Sequence, residues 1–579
     1  MRISPDRRSS RPALLQPASS ERGAALLIVI GVGLLLLTLV STAMTFSVSG
    51  AVKANTDQNW NGAMAAAYAG VEEYESRLAN DNAYYRYGNS GAAFSAGSTL
   101  VAPAVPNPAF GVGAAGGWAS VAGSGALASY RYEVDSSAYA GSGVLRIRST
   151  GRVGNSTRSI VANIKQQGFI DYLYFTVYEI EDPEQSHSPA ACADKYAWAG
   201  RPNTSCSEIA FGSGDVLNGP VHSNDTIRIC QATFKGKVTT GNSPVSGLNY
   251  LQQNSLDHPC TGQVFERGVP KSSSVLGMPA TNSQLKQETR TDAGIDNPGC
   301  LYTGATRIVL DASGTMTIRS PWTKKTRVTG DPATAGSTPA ACGLPGTGTG
   351  QLGSAGGATV PVLDANLLFV QDVPINATDP NFTNGTTWPS GNSASSCNNG
   401  NGVGFPLTDE NSDGRQPKYR CRTGDAFVQG SLRGTMTIAT ENSIYVTGDI
   451  IYTDASVDVL GLVSQSTLWI WNPVSTSGKI LPSNRRIDAA MLSLEHSVQV
   501  QNFYRGGSQG TLTINGSLAQ KYRGIVARNG HGYVKNYNYD PRFRYLSPPK
   551  FLSPVSATYR VNLLVEVSKA FTVDGALVP

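Results

Sequence analysis

The chain has 579 residues with 63 glycines, eight cysteines and only 15% charged side chains, a composition that leans toward turn-rich β structure and away from helical bundles. Its formal net charge of +5 is small for this length and no long basic run carries it. That excludes the electrostatic footprint of a nucleic-acid binder, so nucleic acid is not expected among the partners.

The first element is set by the absence of charge between Arg22 and Lys53. As a helix, residues 24–46 would cross a hydrocarbon layer of about 30 Å. Before this stretch stand Arg2, Arg7, Arg8, Arg11 and Arg22 against Asp6 and Glu21, and after it come Asp57, Glu72, Glu73 and Glu75. The asymmetry places the N-terminus in the cytoplasm and everything after about residue 50 outside the cytoplasmic membrane. A cleaved secretory signal shares the basic start, but the apolar run is too long for one and no small-residue cleavage site closes it. The helical pattern instead continues: no proline occurs between Pro17 and Pro103, and Met64, Ala67, Val71, Tyr74 and Leu78 recur at 3,4,3,4 spacing. That spacing draws one apolar seam on a helix, so a single helix is expected over 24–78, on the order of 80 Å long.

A basic leader, a long helix half apolar and half amphipathic, the run 22–28 (RGAALLI) and the run 61–78 (NGAMAAAYAGVEEYESRL) together resemble the N-terminal region of PilX-type minor pilins of type IV pili. The resemblance covers about the first 80 residues. It implies a prepilin peptidase cutting between Gly23 and Ala24, and other pilins as partners of the helix. The chain departs from major pilins at Ala24, where Phe is usual, and at Ile28, where the fifth mature residue is usually Glu. Because that Glu pairs with a neighbouring subunit in the family's filaments, its absence implies a tip or initiating position. A generic signal anchor is the alternative.

Beyond the helix, 80–125 is rich in Gly, Ala, Ser and Asn and is expected to be loop. Alternation then begins at Tyr130, Tyr132 and Val134, continues at Leu145 and Ile147, and resumes at Ile160, Ala162 and Ile164 after the turn Gly154-Asn155. These are three half-buried strands, the last two a hairpin, able to pack on the amphipathic half of the helix. From Phe169 onward short strands follow, most regularly over 425–530, where turns at Gly434, Gly448-Asp449, Gly461, Gly507, Gly510 and Asn515-Gly516 punctuate them. Such spacing suits a β-solenoid, with a sandwich as the alternative because no strict repeat period is present. Two local runs, 211–225 and 532–549, resemble those in large ectodomains attached to PilX-type N-termini, and imply a pilus-associated role without naming a chemistry. The chain closes with Tyr559, Val561, Leu563, Val565 and Val567 at period two, a strand in need of a partner sheet.

The expected fold is therefore α+β and mainly β. A cytoplasmic leader occupies 1–23, the helix 24–80, a small β module 81–168, and a large disulfide-bearing ectodomain 169–579 with its solenoid-like part at 425–530. All eight cysteines, Cys192, Cys206, Cys230, Cys260, Cys300, Cys342, Cys397 and Cys421, lie beyond the helix and none has C-x-x-C spacing. They are expected to form disulfides in an oxidising compartment, with sequential pairing as the first guess among many connectivities.

Chemistry is sparse. The run 409–414 (DENSDG) matches the first half of a calcium loop, which makes Asp409, Asn411 and Asp413 candidate calcium ligands. Arg420 stands where the closing Glu of an EF-hand belongs, so other ligands, Glu410 among them, would be required; a solvated polar turn is the competing reading. His222 has no second histidine at metal spacing and fits a hydrogen-bonded turn. Residues 506–510 satisfy G-x-S-x-G but precede a strand, the wrong context for a nucleophile elbow. The Gly-rich run 343–357 lacks a phosphate loop's Lys and reads as a flexible linker. Trp388, Trp469, Trp471 and the tyrosines of 533–545 are candidates for sugar stacking, set against burial in a sheet.

No enzymatic activity is expected. The reading is a single-pass membrane protein, its C-terminal domain outside or on a pilus, that initiates assembly or adheres to a host or other surface ligand. The rivals are a membrane-tethered adhesin that never polymerises and a carbohydrate-active β-helix enzyme. The latter needs two carboxylates roughly 5 to 9.5 Å apart in a groove.

Overall fold

The computed structural model describes residues 21–578 except 82, 113–116, 140–142, 167, 187, 203–204, 245–246, 385–399, 412–418 and 556–558. The proposed leader therefore lies outside the described residues, apart from its last three. The chain is mainly β, with one long N-terminal helix, a small antiparallel sheet and a large sheet-rich domain.

The helix runs unbroken over Glu21–Asn80. Its upper part buries Ala67, Val71, Tyr74 and Leu78 of the stripe that the 3,4 spacing defines, with Met64 half-buried, and Ala63 and Ala66 are buried beside them. They face a five-stranded sheet ordered 119–120, 128–135, 144–153, 156–166 and 559–567. Val144–Val153 and Ser156–Gln166 form the expected hairpin about Gly154-Asn155, with Leu145 opposite Ile164 and Ile147 opposite Ala162. The helix approaches the central strand very closely. A Cβ on Gly151 would lie 2.1 Å from the Ala63 carbonyl oxygen and 2.2 Å from the Ala67 nitrogen, so only glycine lets the two backbones meet.

Two features of this head depart from the sequence reading. The segment after the helix is not mere loop: Tyr84, Leu100 and Phe110 are buried in the head's core, and Asn107 donates to the hydroxyls of Tyr84 (2.9 Å) and Tyr132 (2.6 Å). Aromatic residues scattered among Gly and Ser carry no period, so composition hides them. The closing strand Tyr559–Val567 pairs antiparallel with Ser156–Gln166. It thus belongs to the small sheet, although the reading gave it to the ectodomain, and the large domain is an insertion between two adjacent strands of the head. The C-terminal tail then wraps the sheet. Thr157 donates to the Phe571 carbonyl, Arg152 to that of Val573 and Arg131 to that of Gly575, at 3.0, 2.9 and 3.0 Å.

The inserted domain stacks short strands in parallel. One ladder runs through Cys300–Thr303, Asn366–Gln371, Thr435–Thr440, Val459–Ser464, Arg485–Ser493, Ser508–Tyr522, Tyr174–Tyr178, Val221–Ser223, Val238–Thr240 and Lys271–Ser272. Inward it presents an apolar row, Leu368, Ile438, Leu462, Met491, Leu518, Tyr174, Val221 and Val238, all buried in one core. Apolar side chains in register from coil to coil hold such a stack, because a coil alone cannot bury its inner face. The parallel arrangement extends well beyond 425–530. Its order is not the chain order, since the early coils of 174–272 continue the stack from the late strand Ser508–Tyr522. The chain then returns along the stack through 273–299.

That return strap covers the ladder's outer row, which includes Phe369, Ala439, Val463, Leu492, Ala519 and Phe175. Leu276 and Leu285 pack onto it. Asn224 pins the strap by donating to the Leu276 carbonyl (2.7 Å) and accepting from its nitrogen (2.8 Å). A second outer face, with Phe427, Tyr445 and Trp469 in register, is covered by Val403, Phe405 and Tyr419.

Candidate functional site: an exposed stem on a clamped head

Below the head, residues 25–62 leave nearly all their side chains exposed, including Leu27 at 73%, Leu37 at 64% and Phe46 at 78%. Leucine, isoleucine and valine side chains all round a helix suit a lipid or protein surround, because in water each exposed one forgoes about 1.5–3 kcal/mol of burial. By length and composition this is one N-terminal helix apolar enough to cross a membrane. Gly23 and Ala24 stand on its first turns, in helical backbone. Gly31, Gly33 and Gly50 leave room, with nothing within 4 Å of an added Cβ, for another helix to approach closely.

The stem's attachment is rigid. Tyr74 meets Tyr84 and Tyr132 edge to face at 5.6 and 5.2 Å between ring centroids. The Tyr132 hydroxyl donates to Glu73 at 2.8 Å, and Glu73 also accepts from Arg77 one turn along. Near the sheet's edge Arg158 stands 4.7 Å over the Trp60 ring and donates twice to Glu566 of the closing strand, at 2.7 Å each. Helix, sheet and C-terminal strand thus meet at one point.

Two of the three candidate calcium residues are described. Asp409 and Asn411 lie in an exposed loop, while Asp413 lies outside the described residues. The Asn411 nitrogen donates to the Val474 carbonyl (2.8 Å), and its own carbonyl accepts from Arg505. Glu410 is taken by the Tyr419 hydroxyl and by the Leu407 nitrogen (3.1 Å). Among the described residues no three His, Cys, Asp or Glu side chains converge to hold a metal ion.

Disulfides join Cys192 to Cys206, Cys230 to Cys260 and Cys300 to Cys342. Cys421 is also disulfide-bonded, and Cys397 lies outside the described residues. The first bridge closes a loop that contains buried Arg201, which pairs with Asp225 and with Glu208.

His222 is a strand residue of the strap-covered row, stacked on Phe175. Its Nδ1 lies 2.8 Å from the Thr239 hydroxyl and its Nε2 3.2 Å from Asn224 Oδ1. Since Asn224's amide is oriented by the strap, Nε2 carries a proton and donates to Oδ1. Burial lowers its pKa to about 4. Asp425 shows the opposite shift: burial raises it to about 6 against hydrogen bonds from Thr423, Ser443 and Asn442. Asp425 caps a turn between coils, whereas His222 stands inside a strand.

Ser508 of the G-x-S-x-G run opens a strand, not a helix. Trp469 and Trp471 are buried among aromatics at 4% exposure each, and Tyr533 and Tyr537 are core residues; Trp388 lies outside the described residues. The Gly-rich run 343–357 is a packed turn, with Leu352 buried and its nitrogen bonded to the Leu344 carbonyl at 3.0 Å.

No family model matches the sequence, and no curated protein matches it. Among solved structures, the competence-associated pilin ComZ from Thermus thermophilus aligns over 88% of this chain and 97% of its own, at 12% identity and a TM-score of 0.24. A likeness that loose carries no weight for function.

Proposed function

We propose that the chain is a minor-pilin-like subunit of a type IV pilus or related filament. The stem inserts first in the cytoplasmic membrane, after cleavage by a prepilin peptidase between Gly23 and Ala24, and then packs against the stems of other pilins. The large domain projects from the filament, at its tip, where it serves assembly initiation or adhesion to a surface ligand. The role is structural and not enzymatic. The observation that carries this reading is the exposed apolar half of a helix whose other half is clamped into a folded head. A membrane anchor alone does not require the rod to continue without a break into the head, whereas a filament subunit does, because the load on the rod must reach the head.

Sequencing the mature N-terminus from envelope and sheared-filament fractions tests it. The expected start is Ala24, in both fractions. A chain still beginning at Met1, or one beginning after about Ala54, overturns the reading; a correct start with absence from sheared filaments favours the tethered adhesin instead.

A further inference from the structure

The chain passes between head and large domain twice, after Gln166 and before Tyr559. A cavity of about 240 Å3 lies at this junction. Tyr85, Tyr139 and Lys165 of the head form one side, and Phe169, Lys550 and Phe551 of the large domain form the other. Junctions between domains are favoured places for small-molecule sites.

Its size limits the occupant. An apolar cavity of about 150 Å3 holds benzene, so this one accommodates a single six-membered ring with its substituents and no larger buried body. Its electrostatics limit the charge. Lys165 donates to the Phe543 carbonyl and stands 3.5 Å from Asp171, and Lys550 donates to Glu288. Each ammonium is balanced by a carboxylate, so the site offers no net field to an anion. With three N–H groups each, both lysines still have donors for a neutral acceptor. The walls supply the remaining chemistry. Tyr85 and Tyr139 meet at 4.2 Å between centroids with their planes tilted by 33°, and with Phe169 and Phe551 they give apolar ring surface beside polar tips, the combination that Tyr brings to interfaces.

Ring surface for C–H groups, lysine donors for hydroxyl oxygens, no net charge and room for one ring describe one ligand class. We propose that the cavity binds a single neutral pyranose, and that the bound sugar ties the head to the large domain. This site is separate from the filament reading and does not depend on it.

The test uses the full chain in nanodiscs free of glycosidic detergent. Saturation-transfer NMR is recorded with the methyl glycosides of glucose, galactose, mannose and N-acetylglucosamine, with glucuronate as the charged control. Transfer to at least one neutral glycoside and none to glucuronate is expected. Gly168 lines the cavity in extended backbone, and a Cβ there meets only ordinary contacts at 3.8 Å or more. G168W should therefore fill the space without strain and reduce transfer at least tenfold, and K550M should weaken it with the circular dichroism spectrum unchanged. Absence of transfer from all four glycosides, preference for glucuronate, or transfer undiminished in folded G168W overturns the proposal.

Discussion

The two halves of the long helix make opposite use of similar residues. From 25 to 62 its leucines, valines and isoleucines ring the helix and stay exposed; from 63 to 78 one apolar stripe is buried, while Ala65 and Tyr68 on the other side stay exposed. The upper half is stabilised by its own chain, through the sheet and the tail that closes it. The lower half gains nothing within the monomer and depends on lipid or neighbouring subunits for burial. Changes in the two halves should therefore separate cleanly in their readouts.

The sharpest way to break the comparison is to truncate the chain before Tyr559. The edge strand and the tail go together, and with them Val561, Leu564 and Phe571 against the head's core. Loss of a buried large side chain such as Phe571 costs about 2–5 kcal/mol and half-buried Val561 and Leu564 add to it, so the head should lose protection in hydrogen exchange over 128–166. Membrane retention should persist, since the lower half is untouched. A head that remains protected would show that its sheet does not need the C-terminal strand.

G151V comes next. Its Cβ would meet helix backbone at 2.1 Å, a clash that no rotamer change relieves, and at least about 3 kcal/mol of head stability should be lost in a denaturant titration. L35A in the lower half should leave the same titration within about 0.5 kcal/mol of the parent chain. Equal effects from the two substitutions would remove the distinction between the halves.

These expectations rest on features of unequal legibility. The helix, its apolar seam and the hairpin at Gly154-Asn155 were readable because each is a local period with local turn chemistry. So were the strands of 435–514, each an apolar alternation between glycines. Their neighbours were not readable. Tyr559–Val567 announces itself by alternation, yet its partner lies some four hundred residues earlier, and Ala519 finds Phe175 across a similar gap. Parallel stacking relates residues through space with no turn to fix the register, so sequence spacing carries no trace of it. The candidate site divides the same way. The stem was legible as a run of uncharged residues, whereas the junction cavity draws on 85, 139, 165, 169 and 550 and has no local signature at all.

A pH titration carries the comparison into the large domain. His222 is neutral in the fold with its pKa lowered to about 4 from 6.5. The unfolded chain takes up its proton first, so this group's contribution is fully present above pH 6.5 and is lost as pH falls toward 4. At pH 5 the loss amounts to about 2 kcal/mol. Asp425, raised to about 6 from 3.8, acts with the opposite sign: its carboxylate is destabilising above pH 6, and stability is regained as it protonates toward 3.8. H222Q should therefore abolish this group's acid loss and leave the gains of Asp425 and of His496, whose pKa is raised because burial is outweighed by its contact with Asp182, read as a difference in denaturation midpoint between pH 7 and 5. The head's hydrogen exchange should not change between the two variants. An unchanged acid loss in H222Q would mean that His222 is charged or exposed.

The smallest effect concerns a row on the outside of the stack that runs from buried Asp488 through half-buried Asn515 and Asn538 to exposed Asn218. Asp488, Asn515, Asn538 and Asn218 stand in register on four successive coils. Asn515 donates to Asp488 at 2.8 Å, Asn538 to Asn515 at 3.3 Å, and Asn218 and Asn538 are in turn 3.3 Å apart. A row of amides in which each donor is the next acceptor's partner holds neighbouring coils in register without apolar burial, and water competes most for the links toward exposed Asn218. Asp488 also keeps its two bonds from Arg486, at 3.0 and 2.9 Å, when Asn515 is removed. N515A should accordingly cost only about 0.5–1.5 kcal/mol, the net worth of a hydrogen bond that solvent can replace. Combined with N538A it should cost less than the sum of the two, because they share one link. Strict additivity would show the row to be an accident of spacing and not a coupled ladder. The contrast with G151V then ranks the forces that hold this chain: close backbone packing first, buried neutrality next, and surface amides last.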